Sequence, residues 1–261
     1  MQLTIVDKHK KDIFIALFQT LKNISSVVNI IFTKDKLHIQ GMDKAHVCLY
    51  DVSFISDWFC SYESSDDTLE ISLDTAIFHT VLNIKNDSQS ITIYTNNSDV
   101  LQVDFMNQIE NSNEYNKQFK IPLVDCNHEL LDMPNIEYDA EFYIKSKRIC
   151  DIFTQMTTFG ENVNIKCSED NIDLITNSIT GEMSVNIPID DLNSFAINEG
   201  ETIDVKYSIV YVNKTCLNYK LSDQVGFFIS SGYPLKISYD LGNKSFINFY
   251  IAPKIDNEDD F

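Results

Sequence analysis

Apolar residues recur along this chain at two spacings, and the spacing changes segment by segment. In residues 10–22, Ile13, Ala16, Leu17, Thr20 and Leu21 fall on one face of a 3.6-residue period, which predicts an amphipathic helix with bases at both ends. Alternating segments follow at 28–33, 36–40, 46–54 and 68–72, the period of a half-buried strand. A second helical stretch covers 73–86, and strands are expected near 90–94, 100–105 and 113–121.

The second half replays this order. Residues 145–158 have a helical period, and strands follow near 163–167, 172–176 and 182–187. A helix is predicted over 207–220, and strands close the chain near 226–229, 235–239 and 246–251. The replay also shows in the letters. Asp12-Ile13-Phe14 returns as Asp151-Ile152-Phe153, and Val28-Asn29-Ile30 as Val163-Asn164-Ile165. An Asp stands seven residues after each Val, at Asp35 and Asp170. A repeat at about half the chain length predicts a duplicated α+β domain. Chance similarity between two helix–strand units is the competing account. Residues 120–137 carry Pro122 and Pro134 near their ends and no clean period, which suits a connector lying on a surface. The expected division is a first domain at 1–120, a connector at 121–137 and a second domain at 138–261.

Charge sharpens this picture. The 261 residues hold 39 Asp and Glu against 20 Lys and Arg, a net charge of −19, and Arg148 is the only Arg. Such a balance argues against non-specific wrapping of nucleic acid, because phosphate contact needs cations. The bases are not evenly spread, however. The four predicted helical stretches, extended to 8–23 at the first, hold ten bases: Lys8, Lys10, Lys11, Lys22, Lys85, Lys145, Lys147, Arg148, Lys214 and Lys220. Against them stand only Asp12, Asp74 and Asp151, so these stretches sum to +7 and the remainder to −26. Ordinary helix solvation is one account, since Lys is a good helix former. A local positive surface is the other.

Candidate chemistry is sparse. No phosphate-loop, dinucleotide, zinc-protease or nucleophile-elbow motif occurs, and the five His lack metal-ligand spacing. The adjacent pairs Asp66-Asp67, Asp190-Asp191 and Asp259-Asp260 read as turn residues, because neighbours on a strand point to opposite faces. The 17 Phe and 12 Tyr follow the strand pattern and read as core. The six Cys form no C-x-x-C pair and sit mostly in apolar runs, as buried thiols of a reducing compartment do. No apolar run approaches the ~20 residues of a membrane span, and Met1–Asp7 lacks the basic start of a secretion signal. The expectation is a protein with no catalytic residues, no metal, no cofactor and no membrane.

Two stretches then carry a resemblance. Gln40-Gly41-Met42-Asp43-Lys44-Ala45-His46-Val47-Cys48-Leu49 resembles the L-Q-[SA]-M-D-x-x-H-V-x-L motif of the eukaryotic sliding clamp family, proliferating cell nuclear antigen. Phe249-Tyr250-Ile251-Ala252-Pro253-Lys254-Ile255, followed by acids, is similar to that family's Y-[YF]-L-A-P-K-I ending. Leu131-Asp132-Met133-Pro134-Asn135-Ile136-Glu137-Tyr138 is similar to its connector end. The resemblance implies a homotrimeric ring of duplicated domains, with helices lining a hole around double-stranded DNA and antiparallel sheets outside. The ten helical bases would face phosphates without reading bases. Partners would be a DNA polymerase and other proteins carrying a motif with a Gln and two aromatics, together with a clamp loader, in the nucleus or at a viral replication site. Carried over by motif, the partner pocket uses Met42, His46, Val47, Leu49, Leu131, Met133, Pro134, Pro234, Tyr250, Ala252 and Pro253. Plain core packing is the competing role for each.

The departures matter too. Asp151 stands where the family commonly has a base, and Val210-Tyr211-Val212-Asn213 lacks the Arg of the family's R-Y-L-N. Glu169 stands where many members carry a modifiable Lys, with Lys166 nearby. Edge strands near 113–121 and 182–187 would join neighbouring chains. A checkpoint-type heterotrimer subunit and a monomeric viral processivity factor are the alternatives.

Overall fold

The structure is a computed structural model that describes residues 1–64, 67–96, 99–108, 114–126, 130–133 and 136–254. The chain forms two compact units. Unit 1 comprises Met1–Asp43, Tyr50–Leu131 and Asp240–Ile247. Unit 2 comprises Lys44–Leu49, Asp132–Tyr239 and the described chain from Asn248.

Unit 1 contains β1 (Gln2–Ile5), α1 (Lys8–Leu21), β2 (Val27–Phe32), β3 (Lys36–Met42), β4 (Cys48–Ile55, its first two residues in unit 2), β5 (Ser61–Glu63), β6 (Leu69–Asp74), α2 (Thr75–Leu82), β7 (Gln89–Tyr94), β8 (Val100–Asn107) and β9 (Lys117–Pro122). Unit 2 contains β10 (Ala140–Lys145), α3 (Ser146–Met156), β11 (Asn162–Cys167), β12 (Asn171–Ser178), β13 (Gly181–Pro188), β14 (Ser194–Ile197), β15 (Ile203–Ser208), α4 (Ile209–Cys216), β16 (Gln224–Ile229), β17 (Leu235–Asp240, its last residue in unit 1) and β18 (Phe246–Ile251, its first two residues in unit 1). In unit 1 the strands lie in the orders β5-β1-β7-β8-β9 and β6-β2-β3-β4. In unit 2 they lie in the orders β14-β10-β16-β17-β18 and β15-β11-β12-β13. Replacing each element of the first by its counterpart nine strands later gives the second, so the duplicated α+β domain read from the letters is present. The Val-Asn-Ile repeats sit on β2 and β11, and Asp35 and Asp170 in the hairpin turns that follow them.

Antiparallel pairing puts apolar residues opposite each other. Leu3 faces Ile93 and Ile5 faces Ile91 across β1 and β7, and Phe142 faces Phe227 across β10 and β16 with rings stacked at 4.9 Å. Each helix lays an apolar stripe on this core. Asp7 caps α1 by accepting from the Lys10 N–H at 2.9 Å, and Asp74 caps α2 by accepting from Ile77 N–H at 2.8 Å. Helix α1 packs on α2, with Phe18 and Phe78 edge to face at 4.6 Å. In unit 2, α3 buries Ile149, Cys150, Phe153 and Met156 and packs on α4, which buries Ile209, Val212 and Cys216. Each fully buried large apolar side chain is worth about 1.5–3 kcal/mol, so these stripes hold the helices to their sheets. Gly160 follows α3 where space is shortest: a Cβ there would stand 2.5 Å from Thr176 Oγ1 and 2.8 Å from the Asn177 carbonyl oxygen.

The structure corrects several boundaries. Helix α2 starts at Thr75 and α4 at Ile209, because Leu73, Asp74, Tyr207 and Ser208 complete strands β6 and β15. Strands β1, β5, β10, β14 and β15 were not expected from the periodicity. Lys22, Lys85, Lys145 and Lys220 therefore lie outside helices, and the four helices carry six bases against Asp12 and Asp151. All six Cys are free thiols. Cys48, Cys150, Cys167 and Cys216 are buried, while Cys60 and Cys126 are exposed. Burial pushes Cys167 and Cys216 up to about 12. Among the described residues no helix is long and apolar enough to cross a membrane.

Candidate functional site

The helical bases of unit 1 are closely engaged with their own fold. Lys8 pairs with Asp87 at 2.5 Å, and Lys85, only 7% exposed at its side chain, pairs with Asp12 and Asp87 at 3.1 Å each. Hydrogen bonds from Lys8 and then Lys85 hold the Asp87 carboxyl down at about 2. The Lys10 ammonium donates to the Trp58 carbonyl at 2.6 Å and lies 5.4 Å from the centre of that indole ring. The Lys22 ammonium lies 3.1 Å from His79 Nδ1, and burial, then the Lys22 charge, lower the His79 pKa, so the imidazole is the acceptor. Lys11 corrects the expectation most sharply. It is 1% exposed and donates to the carbonyls of Asp87 at 2.8 Å and Gln89 at 2.6 Å. Burial and then the Lys85 charge lower its pKa. A side chain so enclosed cannot reach a phosphate, and Lys85 can do so only by leaving two carboxylates.

Unit 2 presents its bases more openly. Lys145, Lys147 and Lys220 are exposed, with no ion pair among the described residues. Arg148 is exposed and pairs with Asp191 at 2.8 Å. Lys214 is half-buried, its ammonium 5.3 Å from the Tyr211 ring centre. Exposed Asp151 is the one acid on α3.

The residues carried over for partner binding divide between the units. In unit 1, Met42 ends β3 half-buried, and Leu131 is 45% exposed. The Gln40 side chain, which the sequence did not single out, holds the Leu131 backbone at both its N–H and its carbonyl. In unit 2, the Ala252 N–H donates to the Val47 carbonyl at 2.9 Å, which brings the chain end beside the 44–49 loop. His46 is exposed in that loop and takes a left-handed φ of 57°, a conformation uncommon for residues other than Gly. Val47, Leu49, Met133, Pro234, Tyr250 and Pro253 are half-buried. The Lys254 N–H donates to the Lys206 carbonyl at 2.8 Å. Beside it Pro253, Lys206, Asp204, Asn164 and Ser231 line an open cavity of about 540 Å³. Pro134 lies outside the described residues.

Among the described residues β9 and β13 are two of the six strands that end a sheet, the others being β5, β6, β14 and β15. β9 closes the β5-β1-β7-β8-β9 order, and β13 closes β15-β11-β12-β13. β9 carries Lys117 and Lys120 and the half-buried Phe119; β13 carries Glu182 and the half-buried Met183 and Val185. Among the described residues no group of three or more His, Cys, Asp or Glu could hold a metal ion.

Comparison with known proteins agrees across the chain. The family model of the proliferating cell nuclear antigen N-terminal domain matches residues 7–130, and that of its C-terminal domain matches residues 132–254. Proliferating cell nuclear antigen 2 of Plasmodium falciparum is 24% identical over 253 residues, covering 93% of this chain and 95% of its own. DNA polymerase sliding clamp 2 of Saccharolobus solfataricus is 23% identical over 247 residues, covering 93% and 96%. The fold is similar to a chain in the crystal structure of the PCNA2-PCNA3 complex from Sulfolobus tokodaii. That match has a TM-score of 0.85 at 23% identity, over 97% of this chain and 99% of that one.

Proposed function

The chain belongs to the proliferating cell nuclear antigen family, and from that premise we propose how it works as a DNA sliding clamp. Three copies close head to tail into a ring, β9 of one protomer pairing with β13 of the next. The observation that carries this reading is the opposite charge of two sheet-ending strands, with Lys117 and Lys120 on β9 and Glu182 on β13. Open edges are a liability unless paired, and one head-to-tail interface repeated by rotation gives a closed ring. Light scattering tests it: the 30.0 kDa chain should give a particle of ~90 kDa. A mass of one protomer at micromolar concentration sinks the ring.

Inside the ring, DNA is held by charge alone through Lys8, Lys10, Lys22, Lys145, Lys147, Arg148, Lys214 and Lys220, with the larger share from unit 2. Lys11 and Lys85 leave the set because their side chains are enclosed, 1% and 7% exposed, whereas Lys8 and Lys22 are exposed and Lys10 half-buried. The acids that dominate elsewhere keep DNA off other surfaces. A closed ring needs a clamp loader to pass onto circular DNA. The work is done in the nucleus, or at a viral replication site.

The family is a non-catalytic scaffold, so the output is a polymerase held at high local concentration on its template. By the family resemblance, the residues for partner peptides with a Gln, an aliphatic residue and two aromatics are Met42, His46, Val47, Leu49, Leu131, Met133, Pro134, Pro234, Tyr250, Ala252 and Pro253. Leu131→Ala with Pro253→Ala should abolish binding measured by calorimetry while leaving ring mass unchanged. A mixed ring is the second reading, favoured by the solved relative being a complex of two clamp chains. A second clamp chain in the natively purified particle would establish it.

A further inference from the structure

We propose that Gln40 is the positioning residue for partner-peptide binding: its side-chain amide locks the connector backbone at Leu131 and so holds that side chain ready as an anchor. The inference rests on the peptide-site reading above. Gln40 lies on β3, is 4% exposed, and sits 91 residues from Leu131. Its Nε2 donates to the Leu131 carbonyl at 3.0 Å, and its Oε1 accepts from the Leu131 N–H at 2.7 Å. One amide thus does what a whole strand does in a ladder, satisfying both backbone groups of a single residue. A carboxylate offers no donor, an aliphatic chain offers neither group, and Asn is one carbon short.

The two members of the pair differ in exposure. Gln40 is enclosed, while Leu131 keeps 45% of its surface open to solvent. A large apolar side chain left exposed on a backbone fixed from beneath is pre-organised to bind. The start of the connector is held separately, by the Leu123 N–H on the Asp99 carbonyl and the Val124 N–H on the Ser72 carbonyl, both at 2.9 Å. Six residues of chain separate that tie from Leu131. Without the Gln40 amide, this far end must be ordered by the incoming peptide. Affinity then falls by the fraction of chains already in the competent conformation. The QGMD run that holds Gln40 also leads into Met42, so β3 would supply both an anchor and the clamp for another.

The test compares wild type with Gln40→Leu and Gln40→Glu, using a synthetic peptide of the Gln and two-aromatics type. Three readouts are taken: calorimetric affinity, amide exchange at Leu131 by NMR, and particle mass. Gln40→Leu should weaken binding by about tenfold. It should speed Leu131 exchange by a similar factor while leaving Ile39 and Phe32 in the sheet protected. Gln40→Glu should show the same loss at about pH 8. It should recover toward wild type at about pH 5.5, where a protonated acid regains the donor. That recovery is scored as the ratio to wild type, so that other titrations cancel. A role confined to folding would instead speed exchange at Ile39 and Phe32 along with Leu131. Equal affinity in wild type and Gln40→Leu overturns the inference and leaves the peptide site standing. Unchanged Leu131 exchange overturns it as well. A wild-type protein that does not bind the peptide overturns the peptide-site reading, and the inference with it. If Gln40→Leu unfolds, Gln40→Glu decides by the presence or absence of acid recovery.

Discussion

Replacing Lys11 by Met should damage the fold and spare DNA binding, the opposite of what a basic residue beside Lys10 suggests. Met preserves much of the apolar stem, so the change isolates the ammonium. Two carbonyls lose their donor. The bond to Gln89 is buried and that to Asp87 part-buried, where water can replace it. Losing a charged donor to a buried acceptor costs about 1.5–3 kcal/mol. The part-buried bond adds a fraction of that, and relief from burying the charge returns some. The expected net loss is about 2–3 kcal/mol, measured by urea unfolding at fixed protomer concentration, since assembly shifts apparent stability. The pH profile adds an independent sign. The folded-state pKa of Lys11 lies below the ordinary 10.5. Between the two values the unfolded chain holds the proton more tightly, so wild-type stability rises with pH through that window. Lys11→Met should lack that rise. The slope of log affinity against log salt on linear DNA should not change. A slope reduced by about 0.9, with stability within about 0.5 kcal/mol of wild type, would refute the reasoning and return Lys11 to the DNA surface.

Three further expectations are independent of this one. The Asp87 carboxyl is held at about 2 against an ordinary 3.8, so its contribution is complete above the higher value and lost as pH falls through the lower; acid unfolding of Asp87→Asn should therefore converge with wild type near that lower pH. His79 has a folded-state pKa below 6.5, so protons favour the unfolded chain and stability falls as pH drops below 6.5; His79→Gln should flatten this limb in thermal melts. Gly160→Ala should cost about 1–3 kcal/mol, because the new methyl meets the Asn177 carbonyl of the backbone, which cannot swing aside; an unchanged melting temperature would mean that this segment is free to move.

Periodicity exposed the long elements because burial there is one-sided. Ile149, Phe153 and Met156 on α3 repeat at helical spacing for physical cause, one face being buried; α1 keeps the spacing at Ile13, Leu17 and Leu21 but buries every residue from Ile13 to Phe18. The ends of α2 and α4 misled because Leu73 and Tyr207 are apolar in a strand as in a helix, and cap and strand end share the same few residues. β5 has three residues and β1 and β14 four, too few to establish a period. β15 is different: Ile203, Val205 and Tyr207 alternate with polar residues, a strand period legible in the letters. For the bases, sequence reports type and not partner. Lys10 and Lys11 are identical letters, and only the fold brings the carbonyls of Asp87 and Gln89 to one of them. Gln40 and Leu131 stand far apart in the chain, so no local pattern could have joined them.

The distribution of thiols has a practical consequence. Both exposed cysteines, Cys60 and Cys126, belong to unit 1, and all four buried ones, Cys48, Cys150, Cys167 and Cys216, to unit 2. An alkylating reagent added to the native protein should therefore modify two sites promptly, and each later modification would require unit 2 to open. Because the reagent captures thiols only while they are uncovered, the slow phase measures the opening free energy of one half of a duplicated chain, without introducing a mutation or a probe. Mass spectrometry of the alkylated peptides would then give the order in which its strands and helices come apart.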